Sequence, residues 1–157
     1  MSSTHEVLQE LAGIVLADEP LEAVLDRLTA LARDAVEPAE DVSLTLVEGD
    51  RAWTAAHTGQ LSLDADELQY ERGYGPCMDA GRAGITLLIS DMRTEERWPA
   101  YTPAAAERGV GSSLSVPLPL QSSVIGALNV YSTHPRAFDD PGAALVGEEV
   151  ARYAAVA

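Results

Sequence analysis

GSSLSVPLPLQSSVIGALNVYS, residues 111–132, is the stretch that decides the fold of this chain. Apolar residues alternate with serine and proline in its first half and fill nearly every position of its second half. Such short runs, bounded by Gly, Pro and Ser, predict two strands. The polar link Gln121-Ser122-Ser123 is short enough to set them side by side and antiparallel. We expect the second strand at the centre of a sheet, with another group packed close to its backbone at Gly126.

Composition restricts the class of protein around this hairpin. The 157 residues fit one domain. The formal charge is −15 and all ten basic residues are arginines, so we expect no direct binding to nucleic acid or to anionic membranes. A single cysteine, Cys77, excludes an internal disulfide and a cysteine-based zinc site. We see no signal peptide and no apolar run long enough to span a membrane, and therefore expect a cytoplasmic protein.

Helical patterns lie before the hairpin and after it. Apolar spacing predicts an amphipathic helix over residues 3–17 and a second one from residue 20 to Ala35. Pro141 fits the first position of a last helix, which follows a capping Asp139 or Asp140. This last helix is still running at Ala157.

The region between these helices predicts short strands and interrupted helices. Alternation predicts strands over 42–47 and 52–57, and a further strand over 85–90. We expect a loop at 58–63 and at most two helical turns at 65–72. The sequence Gly73-Tyr74-Gly75-Pro76 predicts a sharp bend, followed by a short helix over 77–82. Pro99 and Pro103 bracket the start of another short helix, and Gly109 fits its C-terminal stop after Arg108. The prediction is an α+β domain with a mostly antiparallel sheet and helices packed on one face.

Six short motifs follow one another along the chain: Leu68-Gln69-Tyr70-Glu71, Gly75-Pro76-Cys77-Met78-Asp79-Ala80, Ile89-Ser90-Asp91, Arg97-Trp98-Pro99, Val116-Pro117-Leu118 and Gly126-Ala127-Leu128-Asn129-Val130-Tyr131. In these motifs and in their order, the chain resembles the GAF domain family, and most closely the GAF half of actinobacterial GAF–ANTAR regulators.

The resemblance implies a GAF-like, PAS-related sheet of five to six strands in the order 2-1-5-4-3. Terminal helices would cover one face, and connecting segments on the other face would enclose a ligand pocket. It also implies a single GAF domain over residues 1–157, with a dimerisation helix at 1–17 and a core at 20–155. The RNA-binding ANTAR output module would be absent from these residues.

Cys77 is the candidate reactive residue. A thiol near the start of a short helix has its thiolate favoured by the helix amides, which suits a redox switch or a covalent attachment point. The alternative is a small buried cysteine behind the Gly-Pro bend. The resemblance argues against two activities: GAF proteins that reduce free methionine sulfoxide use several cysteines, and bilin-binding ones commonly place His after the attachment cysteine, where this chain has Met78.

Other candidate chemistry is weaker. His5, His57 and His134 do not have a metal-ligand spacing, so we expect no metal and leave the cofactor open. Asp64, Asp66 and Glu67 form a charge cluster of the kind that usually faces water. Part of the cyclic-nucleotide GAF signature is present, but that signature includes a lysine and the chain has none.

Large side chains between the second predicted strand and the hairpin suit a mostly apolar pocket with a few polar groups. Filling of the space beneath the loops is the alternative. The candidate ligand-binding residues are Tyr70, Tyr74, Cys77, Met78, Asp91, Trp98, Tyr101, Ser113, Ser115 and Asn129.

The sequence thus predicts a non-catalytic sensory domain that binds a small ligand or a partner and signals through its terminal helices. Two other functions stay open: a free methionine sulfoxide reductase of the same fold, and a purely structural dimerisation module. Because the apolar arcs of the first and last helices are wider than one sheet contact needs, we also expect a homodimer through these helices.

Overall fold

The computed structural model describes residues 21–118 and 125–154. The predicted helix at 3–17 and the link Gln121–Ser123 lie outside these residues. Five helices are described: α1 (Leu21–Ala35), α2 (Gln60–Arg72), α3 (Pro76–Ala83), α4 (Thr102–Glu107) and α5 (Pro141–Ala154). Five strands are described as well: β1 (Asp41–Glu48), β2 (Arg51–His57), β3 (Leu87–Ile89), β4 (Ser112–Leu118) and β5 (Ile125–Ser132).

The strands form one sheet in the order β2-β1-β5-β4-β3, and every neighbouring pair is antiparallel. The predicted order is therefore confirmed, as is the central position of β5. Gly126 also behaves as expected. A Cβ at this position would lie 2.8 Å from the Thr45 carbonyl oxygen and 2.9 Å from Leu118 Cδ1, so the neighbouring groups pack directly against its backbone.

The first sheet face is apolar and lies under α1 and α5. Leu44, Leu114 and Leu128 project from the strands into a core that Leu28 of α1 and Val150 of α5 complete. These residues follow the period of two in the strands and the period of 3.6 in the helices, so the sequence patterns predicted this core correctly. The last helix begins as expected at Pro141, where Asp140 Oδ1 accepts a hydrogen bond of 2.9 Å from the Gly142 amide.

The second sheet face lies under α2, α3 and α4, so helices cover both faces and not one. The expected loop at 58–63 and two turns at 65–72 are wrong, because α2 is a single helix of 13 residues. Its buried positions include Ser62, Asp66 and Gln69. A helix that buries polar residues has no apolar stripe, and the periodicity used to predict helices is then missing.

Contacts from neighbouring elements fix both ends of α2. At its start, Asp41 of β1 accepts hydrogen bonds from the Ser62 amide, at 2.7 Å, and from the Thr58 hydroxyl. These contacts satisfy part of the helix N-terminus from another element of the fold. At its end, Gly73 adopts the left-handed conformation with a φ of 73°. The predicted bend before α3 is therefore confirmed.

Candidate ligand site

The second sheet face carries polar side chains where the first face carries apolar ones. Successive side chains of a strand point to opposite faces, so the residues between the apolar positions of β1, β4 and β5 come together here. Six of them are fully buried, and Thr54 of β2 is half-buried. The strand residues of this polar cluster are Ser43, Thr45, Thr54, Ser113, Ser115, Asn129 and Tyr131.

Helix α2 completes the polar cluster with Asp66, Gln69 and Tyr70. Asp66 is fully buried and accepts hydrogen bonds from Tyr131 OH at 2.5 Å and from Thr54 Oγ1 at 2.8 Å. Burial raises the pKa of this carboxyl to about 6, against the opposing effect of hydrogen bonds from Ser43, Tyr131 and Thr54. At neutral pH the site therefore holds a buried carboxylate whose partners are uncharged hydroxyls.

Cys77 at the start of α3 is fully buried beneath this helix–sheet contact. Its amide donates a 2.9 Å hydrogen bond to Gln69 Oε1, so Gln69 occupies an N-terminal amide of the helix. A Cβ at Gly75 would lie only 2.2 Å from that Gln69 oxygen, which explains the glycine. Burial raises the pKa of the Cys77 thiol well above its ordinary value, and the nearby Asp66 charge raises it further. The thiol is therefore protonated at neutral pH and poorly suited to act as a nucleophile.

Large side chains cover the rest of the polar cluster. Met78, Trp98 and Tyr101 are all buried, and Trp98 Nε1 donates a 2.7 Å hydrogen bond to Asp79 Oδ2 on α3. The irregular segment 90–101 is also joined to α2, since Arg72 Nε donates to the Ala100 carbonyl oxygen at 2.7 Å. The second sheet face is closed in this structure, with aromatic side chains over its polar groups.

Four buried polar atoms have no hydrogen-bond partner in the part of the chain that the structure describes. They are Tyr101 OH, Ser113 Oγ, Ser115 Oγ and Asn129 Oδ1. Buried polar atoms in folded proteins are nearly always paired, and each exception calls for an explanation such as a water or a ligand. All four belong to the second sheet face or its cover, and this concentration marks the candidate site.

The structure brings eight of the ten predicted site residues to this place: Tyr70, Cys77, Met78, Trp98, Tyr101, Ser113, Ser115 and Asn129. The other two lie elsewhere. Tyr74 OH accepts a 2.9 Å hydrogen bond from the Ala100 amide near the rim. Asp91 lines a surface cleft of about 150 Å³ with Arg93, Gly111 and Thr133. The binding of a ligand by any of the ten stays a prediction.

Several members of the polar cluster were missed at the level of sequence, namely Ser43, Thr45, Thr54, Asp66, Gln69 and Tyr131. Asp66 was expected to face water with Asp64 and Glu67, and this is wrong because it is fully buried. A usable signal did exist in the strands. Polar residues stand at alternate positions of both β1 and β4, which are inner strands of the sheet. An inner strand that is polar on one face predicts a polar interior on that side.

Within residues 21–118 and 125–154, no three His, Cys, Asp or Glu side chains are grouped so that they could hold a metal ion. None of the described helices has the length and hydropathy needed to cross a membrane. A second surface cleft, of about 280 Å³, lies between the end of α1 and the start of α5. Its lining does not include any residue of the polar cluster.

Comparison with known proteins agrees with this architecture. The structure of a free methionine-R-sulfoxide reductase from Neisseria meningitidis, in complex with its substrate, is 24% identical and superposes with a TM-score of 0.73, covering 96% of this chain and 85% of that one. A putative GAF sensor protein from Burkholderia vietnamiensis is 20% identical with a TM-score of 0.71, covering 98% and 94%. The GAF domain of an Acinetobacter phosphoenolpyruvate-protein phosphotransferase is 17% identical with a TM-score of 0.68, covering 96% and 89%.

These identities establish a common fold, and the structures that share it include both sensors and reductases. No curated protein matches the chain. The family model described as GAF domain matches residues 18–157, which is most of the sequence. Together with the sheet order and the helices on both faces, this match shows that the chain belongs to the GAF domain family.

Proposed function

We propose that this chain is a non-catalytic, cytoplasmic sensory domain that binds a small ligand at the polar cluster. The proposal rests on four buried atoms that have no hydrogen-bond partner among residues 21–118 and 125–154: Tyr101 OH, Ser113 Oγ, Ser115 Oγ and Asn129 Oδ1. A domain that served only as a scaffold gains nothing from burying such atoms, because each unpaired group costs about 1–3 kcal/mol. A ligand that hydrogen-bonds to them would recover this energy and be held specifically.

The signal would pass through β5 to the terminal helices. Asn129 and Tyr131 of this central strand belong to the polar cluster, while Leu128 and Val130, which alternate with them, pack in the core beneath α1 and α5. A small shift of β5 on ligand binding would therefore displace side chains that pack against both helices. We propose that these helices pass the signal to an output module, an RNA-binding antiterminator of the ANTAR kind.

Ligand binding can be tested by thermal unfolding in the presence of fractionated small-molecule extract from cells. A ligand that binds only the folded state raises its stability, so we expect at least one fraction to raise the unfolding temperature of the wild type. Ser115→Ala should reduce this rise, and Ile85→Ala, which shortens an exposed side chain between α3 and β3, should not. Equal rises in all three proteins would place the ligand elsewhere.

The second candidate function is a free methionine sulfoxide reductase, which the similarity to the Neisseria enzyme favours. Against it stand the single cysteine of the chain and the buried, protonated state of its thiol. Thiol-dependent reduction of free methionine-R-sulfoxide separates the two functions. The sensor proposal expects no turnover. Turnover by the wild type that disappears in Cys77→Ser would favour the enzyme.

We further propose a homodimer formed through the first and last helices. Its support in the described residues is Leu145 of α5, whose side chain is 63% exposed although it is large and apolar. The negative charge of the chain opposes association, so an apolar dimer contact should strengthen with salt. Sedimentation at low and high salt tests this, with Leu145→Glu as the disrupting variant. A wild-type monomer in both buffers would exclude the dimer.

A further inference from the structure

Among the residues that the structure describes, the candidate site holds one negative charge and no positive one. Asp66 supplies the negative charge from α2. The chain has ten arginines and no lysine, and all ten arginines lie in the described residues, where each is exposed. His57 and His134 are exposed as well. An anionic group buried beside Asp66 would find no cation to offset its desolvation, so the site disfavours anions.

Hydrogen bonds that start from Asp66 run across the sheet in a fixed direction. An ionised carboxylate can only accept, so Thr54 gives its single hydroxyl proton to Asp66. Thr54 must then accept from Tyr70 OH, which lies 2.8 Å away. Tyr70, having donated its proton, must accept from Thr45, also at 2.8 Å. Each hydroxyl in this chain of hydrogen bonds thus has its proton on the side nearer to Asp66.

This direction determines how the Asn129 side chain is oriented. Thr45 has donated its proton to Tyr70, so it can only accept from its other neighbour, Asn129, at 2.9 Å. The atom of Asn129 at that contact must therefore be the nitrogen Nδ2, which also donates to Ser43 Oγ at 3.1 Å. The carbonyl oxygen Oδ1 is left on the other side, buried and without a partner in the described residues.

A second chain of hydrogen bonds from Asp66 engages both polar atoms of the other side-chain amide in the cluster, that of Gln69. Tyr131 OH donates to Asp66 at 2.5 Å and accepts from Gln69 Nε2 at 3.3 Å. Gln69 Oε1 in turn accepts from the Cys77 amide. Both amide nitrogens of the polar cluster are therefore engaged, and the unpartnered amide atom, Asn129 Oδ1, is an acceptor. A ligand that donates a hydrogen bond would therefore satisfy this acceptor.

Resting on the proposed function, we propose that the ligand places an N–H donor against Asn129 Oδ1 and is therefore a neutral or cationic nitrogen compound, not an anion. Ser113, Ser115 and Tyr101 can each donate or accept, so they adapt to the remainder of the ligand. Aromatic side chains from Trp98 and Tyr101 would lie beside it after segment 90–101 has moved to admit it.

The orientation of Asn129 can be measured directly, because it is the only asparagine in the chain. Protein labelled with ¹⁵N in asparagine side chains gives a single pair of side-chain amide proton signals. Since both protons are donated to buried hydroxyls, we expect this pair to exchange with solvent slowly. Exchange as fast as that of an exposed asparagine in an unfolded control would overturn the proposed orientation and, with it, the ligand class.

Three probes of nearly equal shape then test the class of ligand: benzamidine, benzamide and benzoate carry one positive charge, no charge and one negative charge. Titrations followed at the Asn129 signals should show benzamidine and benzamide binding at least about tenfold more tightly than benzoate, a difference of about 1.4 kcal/mol. Benzoate binding as tightly as benzamide would overturn the class of ligand while leaving a ligand site in place. No shift with any probe would overturn both proposals.

Two variants of neighbouring acids on α2 provide the matched comparison. Asp66→Asn removes the buried charge, so the preference for benzamidine over benzoate should fall by about tenfold. Asp64→Asn removes a partly exposed charge that contacts Gln60, and it should leave the preference unchanged. An equal effect of the two variants would show that the preference for benzamidine over benzoate comes from the overall charge of the protein and not from the site. If Asp66→Asn does not fold, the wild-type titrations still decide the proposal.

Discussion

The Asp66 carboxylate is fully buried, and its hydrogen-bond partners are neutral hydroxyls. Removing a carboxylate from water is expensive, and hydroxyl donors offset only part of that cost. The pKa of Asp66 is therefore raised to about 6, because the remaining desolvation cost disfavours the charged form. A side chain that weakens the fold at neutral pH is easier to understand as part of a site than as part of a scaffold.

Replacement of Asp66 should change how stability depends on pH. Because the pKa of the carboxyl is about 6 in the folded protein and 3.8 ordinarily, the folded state binds the proton more tightly. This favours folding below pH ~4, and the benefit is lost as the pH rises through 6. Between about pH 5 and pH 7.5, we expect wild type to lose about 1 kcal/mol of stability relative to Asp66→Asn.

Denaturant unfolding of both proteins at the two pH values measures this difference. Other acids titrate equally in wild type and variant, so their contributions cancel in the comparison. Asp64→Asn is the control and should follow the wild type. Parallel pH profiles for wild type and Asp66→Asn would mean that Asp66 is not buried in its charged form.

Ser43 and Ser115 flank Asn129 on opposite sides and make a matched pair. Both are opposite Asn129 in the sheet register and both are buried. Ser43 Oγ accepts a hydrogen bond from Asn129, whereas Ser115 Oγ has no partner in the described residues. We expect Ser43→Ala to cost about 1–2 kcal/mol and Ser115→Ala to cost nothing or to stabilise the ligand-free protein.

Denaturant titration of the two variants in ligand-free protein checks this expectation. Equal losses would show that Ser115 is satisfied in solution, for instance by a buried water. The pair also shows how far sequence reasoning reached at the scale of residues. Ser115 was recognised as a candidate, but Ser43 was not, because its role depends on α2 and β5 meeting over β1.

Among the elements, β5 and α2 show why part of the fold was predictable and part was not. β5 is apolar on one face and mixed on the other, and its flanking turn residues predicted a central strand that the structure confirms. α2 buries Ser62, Asp66 and Gln69, which form polar contacts with β1, β2 and β5. These contacts depend on distant parts of the chain, so the local sequence pattern does not reveal them. Apolar periodicity finds helices that pack on apolar surfaces.

The central position of β5 gives a test by truncation. Leu128 is 1% exposed and lies opposite Leu44 and Val116, so Leu128→Ala leaves a cavity at the middle of the sheet. We expect a loss of about 2–5 kcal/mol in denaturant titration. Ile85→Ala is the control, since that side chain is exposed and its truncation should change little. A loss for Leu128→Ala no larger than that of the control would contradict the assigned strand order.

Segment 90–101 is the element expected to move when a ligand enters. Its backbone is irregular, and side-chain contacts such as Trp98–Asp79 and Arg72–Ala100 hold it in place. We expect its amides to exchange with solvent faster than those of β4 and β5, whose amides are bonded within the sheet. Hydrogen exchange with mass spectrometry measures this. Protection equal to that of the two strands would require another route into the site.

At the scale of the whole molecule, the two sheet faces differ in polarity and in the helices that cover them. The first face is apolar and supports α1 and α5, while the second is polar and closed by α2, α3 and α4. The fold family and sheet order were readable from the motifs because these lie on the strands and bends that build the sheet. The polar cluster was predicted only in part, because it forms where five elements meet, namely α2, β1, β2, β4 and β5.

Native mass spectrometry of the intact chain tests most directly whether the second sheet face binds a small molecule. The chain would be measured as purified from cells and again after incubation with a small-molecule extract of those cells. We expect a noncovalent adduct on the wild type that Ser115→Ala weakens and that Ile85→Ala, a change at an exposed side chain, retains. The bare polypeptide mass in both preparations, or an adduct that Ser115→Ala does not affect, would contradict the account.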